Sequence, residues 1–256
     1  MVETSSAQLL SLAGKTALVT GASSGLGAHF AGVVAAAGAH VVLAARRADA
    51  LAATATDIVG AGGSAEIMAL DVTDRDALAA CADRIGAVDI LINNAGVVRD
   101  GPALDQDEGD WDAVIDTNLK AMFRIAQAAA RGMKATGRGG AIVNIASILG
   151  LRQAGNVLPY AVSKAGVIQM TKTLALEVAR YGIRVNALAP GYIDTDLNRD
   201  FWKSEPGQAL IRRVPQRRLG RLADLDGPLL LLASDASLFM TGAVVAVDGG
   251  HLVSSL

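Results

Sequence analysis

The chain has 256 residues, 52% hydrophobic, 4% aromatic and 19% charged, and its 23 basic and 25 acidic side chains leave a net charge of -2. That balance gives no basis for a nucleic-acid partner or an anionic membrane surface. No stretch approaches the ~20 apolar residues of a membrane span, and Cys81, the single cysteine, excludes an internal disulfide. The opening MVETSSAQLLSLAGK lacks the basic start and sustained apolar run of a signal peptide. Ser254-Ser255-Leu256 lacks the lysine of the peroxisomal tripeptide. A soluble cytoplasmic protein is expected.

Strand and helix signals alternate along the chain. KTALVT at Lys15–Thr20 predicts a buried strand, followed by glycines and a helix from about Leu26 to Ala37. His40–Ala45 predicts a second strand and Asp49–Val59 a second helix, with Asp49 as its N-cap. Ala65–Leu70, Val88–Ile92 and Ala141–Ile145 predict three more strands, with a long helix from about Asp110 to Lys134 before the last of them. A helix from Tyr160 to about Tyr181, a sixth strand at Arg184–Leu188 and a late seventh at Ala243–Val247 complete the pattern. Repeated βα units imply one α/β domain over 1–256, a doubly wound parallel sheet of seven strands. Only 194–220, with Pro206, Pro215, Phe201, Trp202 and a basic run, breaks the rhythm, and a substrate lid is expected there.

The turn after the first strand reads Thr20-Gly21-Ala22-Ser23-Ser24-Gly25-Leu26-Gly27. Gly21 permits a tight turn, Gly25 lets backbone approach a pyrophosphate, and Gly27 lets the helix pack near the strand. The helix N-terminus then offers N–H groups and a positive dipole end to phosphates. The second strand ends in Arg46-Arg47, where many dinucleotide folds place an acid for the ribose 2′-OH. A carboxylate would repel a 2′-phosphate, whereas arginine can grip it with a bidentate fork. NADP(H) is therefore expected in preference to NAD(H).

Tyr160 and Lys164 stand one helical turn apart, on one face. A free phenol, with a pKa near 10, is a poor base at pH 7, and a nearby ammonium is expected to lower it. Ser147 follows the fifth strand and can point its hydroxyl into the crevice beyond the strand ends. Asn118 falls inside the long helix, a position asparagine disfavours. His29, His40 and His251 show no ligand spacing, so no metal is expected. His29 reads as a helix-surface residue and Cys81 as a small core residue.

TGASSGLG, Asn93-Asn94-Ala95-Gly96, Asn118, Ser147, YAVSK, Pro190-Gly191-Tyr192-Ile193-Asp194-Thr195 and the late Val247-Asp248-Gly249-Gly250 occur together in one order. In that order and spacing the chain resembles the short-chain dehydrogenase/reductase family over about residues 12–250, and more loosely its 3-oxoacyl-carrier reductases. The resemblance implies Tyr160 as acid/base, Ser147 as holder of the substrate oxygen, Lys164 as ribose ligand and tuner of Tyr160, and Asn118 as support of a water relay. It places Gly21, Ser23, Ser24, Gly25, Leu26, Gly27, Arg46, Arg47, Asp71, Val72, Asn94, Ala95, Gly96, Pro190, Gly191, Ile193 and Thr195 around the cofactor. Leu149, Leu158, Tyr192, Phe201 and Trp202, with Ser147, are expected to line an apolar substrate pocket.

The expected reaction interconverts a ketone or 3-oxoacyl group and a secondary alcohol. Two alternatives stand: an NAD(H)-dependent alcohol dehydrogenase of the same family, and a non-catalytic dinucleotide sensor, which the intact Ser147, Tyr160 and Lys164 disfavour. The partner is a small carbonyl or alcohol, an acyl thioester among the candidates. The resemblance to 3-oxoacyl-carrier reductases implies carrier docking for Arg138, nine residues before Ser147, and Tyr181, where those reductases often have a second basic residue, speaks against it. A homotetramer is expected, with Ala126–Ala130 packed across a two-fold axis and Leu252 and Val253 forming a second contact.

Overall fold

The structure, a computed structural model, describes residues 6–195 and 199–254. Seven strands form one sheet: β1 (Thr16–Thr20), β2 (His40–Ala45), β3 (Ser64–Ala69), β4 (Ile90–Asn93), β5 (Gly140–Ile145), β6 (Ile183–Pro190) and β7 (Val244–Val247). All neighbours pair in parallel, in the order β3-β2-β1-β4-β5-β6-β7. The order reverses between β1 and β4, the doubly wound arrangement whose ligand crevice opens beyond the carboxyl ends of the strands.

Helices cover both faces. After the short α1 (Ser6–Leu9) come α2 (Gly25–Ala36), α3 (Ala48–Gly60), α4 (Arg75–Ala80), α5 (Ala82–Gly86), α6 (Glu108–Ile115), α7 (Met122–Thr136) and α8 (Leu158–Val178). The excursion after β6 carries α9 (Arg199–Lys203) and α10 (Glu205–Ile211), and α11 (Asp226–Ala233) leads toward β7. Period-two alternation sorts the strand residues between two cores. Ala17, Val19, Val41, Leu43, Ile90 and Ile92 pack with Phe30 and Val34 of α2, Leu51 of α3 and Leu229 of α11. Leu18, Val42, Leu91, Ile142 and Val185 face the other way, onto Ile125, Ala129 and Met133 of α7. Burial on both faces is why these strands read as continuous apolar runs.

The observed elements depart from the expected ones at telling places. The long helix expected from Asp110 to Lys134 is interrupted by a π-type turn over Asp116–Ala121, centred on Asn118. The helix carrying Tyr160 begins at Leu158, with Pro159 in its first turn, where a missing N–H costs nothing. Asp49 is not an N-cap: β2 ends at Ala45, the connection is only Arg46-Arg47, and Arg47 takes the cap position with no side-chain cap bond. Asp49 lies in the first turn instead, where the helix dipole favours its charge. Helices α4, α5 and α11 were not anticipated.

The alanine run does not face outward as a dimer surface. Ala126, Ala129 and Ala130 are buried on the sheet of their own chain, and Gly132 of α7 lies so close to Gly86 of α5 that a methyl there would collide with backbone. Cys81 sits at the junction of α4 and α5, half-buried and packed against the core. His29 is a half-buried residue rather than a free surface one, its Nε2 2.6 Å from Asp226 Oδ1 at the start of α11.

Candidate active site

The glycine turn is built as its spacing demands. Gly21 has φ +69° and would bring a side chain to 2.9 Å of Asn94 Nδ2. A methyl on Gly27 would collide with the Gly21 carbonyl, so that glycine is required by packing alone. Gly25, with φ +54°, has no protein atom within 4 Å of where a Cβ would lie. Ser24 occupies the N-cap of α2 without a side-chain cap bond, so the first amides of the helix have no side-chain acceptor there. Open space beside Gly25 and unclaimed helix N–H groups fit a pyrophosphate. Gly27→Ala is expected to destabilise the chain by about 1–3 kcal/mol through overpacking. A thermal melt checks this, and an unchanged midpoint would contradict the packing account.

The walls of this crevice come from the ends of the neighbouring strands. Arg47 Nη2 reaches back to Ser23 Oγ (3.2 Å) and Ser24 Oγ (3.1 Å), joining the end of β2 to the glycine turn. Arg46 is exposed, and its charge reaches Asp71 beyond β3. Burial tends to raise the Asp71 carboxyl, but bonds from Thr73 N–H (2.9 Å) and Oγ1 (2.7 Å), with Arg46, bring it below the usual range. Val72 beside it is buried. Thr20 Oγ1 accepts from the amides of Asn94 (2.9 Å) and Ala95 (3.0 Å), and Asn94 Nδ2 donates to Thr20 O (3.0 Å). Thr20 thereby fixes the loop after β4 on the glycine turn. The sequence reading passed over it, although its place directly before Gly21 is a usable signal.

Asn118 is fully buried. Its Oδ1 accepts from Val97 N–H (2.7 Å), and its Nδ2 donates to Val97 O (2.9 Å) and Ser163 Oγ (3.1 Å). Ser163 Oγ in turn donates to Tyr160 O (2.7 Å). The side chain therefore clamps the loop after β4 to the helix of Tyr160. It does not touch Lys164, which leaves only its main chain for a water relay. Polar links continue below: Asn93 Nδ2 donates to Met122 O (2.8 Å) and Asn144 Oδ1 (3.2 Å), and Asn144 Nδ2 to Thr171 Oγ1 (2.9 Å). Asn93 belongs to the quoted Asn93-Asn94-Ala95-Gly96 motif, whereas Asn144 lies within the apolar strand β5 and carries no signal of its own.

At the ends of β5 and β6 the reactive groups converge. Ser147 is buried and caps the turn Ile148–Gly150, its Oγ accepting from Leu149 N–H (3.1 Å). Burial holds the Tyr160 phenol above its ordinary pKa, and a hydrogen bond with Ser147 partly offsets this. The expected lowering by Lys164 is not found. Lys164 Nζ lies 5.6 Å from the Tyr160 ring centre and donates to Ile145 O (2.7 Å), and burial brings its own pKa down to about 8. Tyr160 is thus a neutral acid here, the form that gives a proton to a carbonyl oxygen.

Beyond β6, Pro190 is buried, Gly191 N–H donates to Val247 O (2.9 Å) and Ile193 pairs with Gly220 across the base of the excursion. Thr195 follows, and residues 196–198 of the expected lid lie outside the described residues. Tyr192 packs edge-on against Trp202 (5.4 Å) and Trp202 against Phe201 (4.9 Å). Trp202 is buried within the excursion, whereas Phe201 and Leu158 are exposed and Leu149 is half-buried. Among the described residues no group of histidines, cysteines and acids could hold a metal, and no helix is long and apolar enough to cross a membrane. Arg138 lies at the amino end of β5, paired with Asp89 (3.3 Å), at the far end of the strand from Ser147.

A parallel sheet with a phosphate-fitting glycine turn at its switch point, and Ser147, Tyr160 and Lys164 at the same edge, defines a dinucleotide-dependent oxidoreductase. Residues 15–206 match the family model for short chain dehydrogenases, and the chain belongs to that family. It is similar to the 3-oxoacyl-[acyl-carrier-protein] reductase of Thermotoga maritima, 38% identical over 94% of this chain and 99% of the relative. It is also similar to the gluconate 5-dehydrogenase of Gluconobacter oxydans, 40% identical over 96% of this chain and 98% of that one. A crystal structure of a gluconate 5-dehydrogenase from Burkholderia cenocepacia, in complex with NADP and tartrate, superposes with a TM-score of 0.93 at 36% identity, covering 98% of this chain and 100% of that one.

Proposed function

We propose that this chain interconverts a ketone and a secondary alcohol with NADP(H). The observation that carries this reading is the meeting of Ser147, Tyr160 and Lys164 at the sheet edge where the glycine turn fits a pyrophosphate. The bound nicotinamide supplies or accepts the hydride. Ser147 Oγ orients the substrate oxygen beside the Tyr160 hydroxyl, and in the reducing direction Tyr160 delivers the proton to that oxygen. Lys164, its Nζ 5.6 Å from the Tyr160 ring centre, would hold the nicotinamide ribose. Pro190, Gly191, Ile193 and Thr195 would flank the nicotinamide, and the excursion at 194–220 would act as the lid. The experiment is NADPH oxidation screened over small ketones, hydroxy-acid-derived ketones and 3-oxoacyl thioesters. Turnover of none of them would overturn the proposal.

Preference for the 2′-phosphate rests on Arg47, with Arg46 beside it. A charge-assisted bond of this kind contributes on the order of 1.5–3 kcal/mol, and exposure lets salt screen part of it. Replacing Ala45 by Asp and Arg46 and Arg47 by Ser is expected to shift kcat/KM from NADPH toward NADH by about 100-fold, at 1.36 kcal/mol per factor of ten. Equal values for both cofactors in the unaltered chain would contradict it.

Two substrate readings have support. The 3-oxoacyl reading draws on the Thermotoga relative and on exposed Leu158 and Phe201. The free-ketone reading draws on the gluconate 5-dehydrogenases and on Arg138, which faces Asp89 at the opposite sheet edge rather than the catalytic one. We favour the second. We also propose a cytoplasmic homotetramer. Exposed Phe123 and Leu176 on α7 and α8, and Leu238, Phe239 and Val253 near the carboxyl end, supply apolar surface for two contacts. Light scattering at micromolar concentration is expected to give four times the 26.1 kDa chain mass, and a monomer would refute it.

A further inference from the structure

Past the catalytic groups lies a cluster of hydrogen-bond donors that the reaction as described does not use. Arg152 follows Ser147 by five residues, and its amide closes the Ser147-capped turn on Ile148 O (2.8 Å). Its half-buried guanidinium donates through Nη1 alone, to His251 O and to Ser254 Oγ (2.9 Å). Nε and Nη2 meet no acceptor among the described residues, and no carboxylate there pairs with this cation. Tyr192 stands two residues beyond the end of β6, beside β5. His251 packs edge-on against one part of its ring (5.3 Å) and Trp202 against another (5.4 Å). His251 Nδ1 and Trp202 Nε1 are both buried without a partner, and Tyr192 beside them is half-buried.

Unpaired buried donors are costly, about 1–3 kcal/mol each, and so call for an acceptor. The nearby carboxylate, Asp248, is not available for that role: its two oxygens accept from Gly250 N–H (2.9 Å) and Leu252 N–H (2.7 Å). Arg213, exposed and without an acid partner among the described residues, adds its charge toward both Tyr192 and His251.

We propose that Arg152, with Tyr192, His251 and Trp202, forms an anion-selecting end of the substrate pocket, which takes the carboxylate of an oxo- or hydroxy-acid several bonds from the reacting carbonyl. The idea rests on the ketone-reductase reading above and deepens it. Arg152 supplies a two-pronged grip, with Nε and Nη2 matching two carboxylate oxygens. Tyr192, its ring fixed between His251 and Trp202, adds a hydroxyl donor from the β6 side. Burial and the Arg152 charge push the His251 imidazole below its ordinary pKa, and Asp248 pulls the other way. The ring is therefore neutral and can present Nδ1–H. Because the carboxyl-terminal turn brings His251, the end of the chain takes part in substrate selection.

The test compares 5-oxohexanoate with its methyl ester, using NADPH and the full chain, for the unaltered protein, Arg152→Met, Arg152→Lys and Tyr192→Phe. The unaltered protein is expected to favour the acid by at least about ten-fold in kcat/KM. Arg152→Met should lower kcat/KM for the acid by about 10- to 100-fold, mainly through KM, and leave the ester within about three-fold. Arg152→Lys should restore only part of the loss, since an ammonium lacks the fork. Tyr192→Phe removes one oxygen without disturbing the ring contacts and should lower the acid about three- to ten-fold more than the ester. Equal loss for acid and ester in Arg152→Met would assign Arg152 to holding the chain end and overturn the proposal. An unaltered protein that reduces the ester as well as the acid would overturn it and leave the ketone-reductase reading standing. Reduction of neither would overturn the proposal, while the ketone-reductase reading is decided by the wider screen above.

Discussion

Tyr160→Phe should keep cofactor affinity and lose about 10²–10⁴-fold in kcat/KM. The change deletes one oxygen from a ring set in the first turns of α8, and the Ser163 bond to Tyr160 uses the backbone carbonyl, so the helix stays in place. What disappears is the transferable proton. No other group at this edge is so well placed to give that proton: Ser147 is a weaker acid than a phenol, and Lys164 donates to Ile145 O. Steady-state kinetics with one ketone, beside a titration with NADPH, checks the result. A loss under about ten-fold would remove Tyr160 from the proton path.

Lys164→Met should abolish most turnover and at the same time make the cofactor-free chain more stable near neutral pH. Lys164 is buried, and its pKa falls from 10.5 to about 8. Below about pH 8 the ammonium is charged in both the folded and the unfolded chain, and the folded state carries the full burial penalty. Between about 8 and 10.5 the unfolded chain holds a proton that the folded chain has lost, so stability from this group rises with pH. The shift corresponds to about 3 kcal/mol at 1.36 kcal/mol per pH unit. Loss of the charged bond to Ile145 O takes back about 1.5–3 kcal/mol. The net gain at pH 7 is then up to about 1.5 kcal/mol, or up to about 3–6 °C in Tm for a chain of this size. The gain should shrink as the pH is raised from 8 toward 10.5. A methionine variant less stable than the parent at pH 7 would show that the ammonium is a structural asset rather than a strained catalytic group.

Much of this site was legible because its chemistry leaves fixed marks on the chain. Gly21 needs a positive φ, Gly27 has no room for a methyl, and Tyr160 and Lys164 need one helical turn between them. Each requirement acts within a few residues, so spacing carries it. The parallel sheet was legible for a similar reason, since strands buried on both faces cannot hide their apolar runs. Other features depend on contacts far along the chain. Arg47 becomes an N-cap only because β2 ends at Ala45, and the alanines of α7 turn inward because the sheet lies beneath them. The π-type turn at Asn118 leaves no periodic trace beyond an asparagine where a helix would not want one. Arg152 and His251 are 99 residues apart, and nothing in either neighbourhood announces that the two meet.

The most direct test of the central claim is the fate of the transferred hydrogen. NADPH deuterated at both C4 positions, incubated with the chain and a ketone it reduces, should yield an alcohol with one deuterium on the carbinol carbon by mass spectrometry. The Tyr160→Phe variant, with NADPH bound to the same extent, should yield almost none. Bound NADPH without deuterium reaching carbon from any ketone, oxo-acid or 3-oxoacyl thioester would contradict the account and leave a dinucleotide-binding protein without turnover.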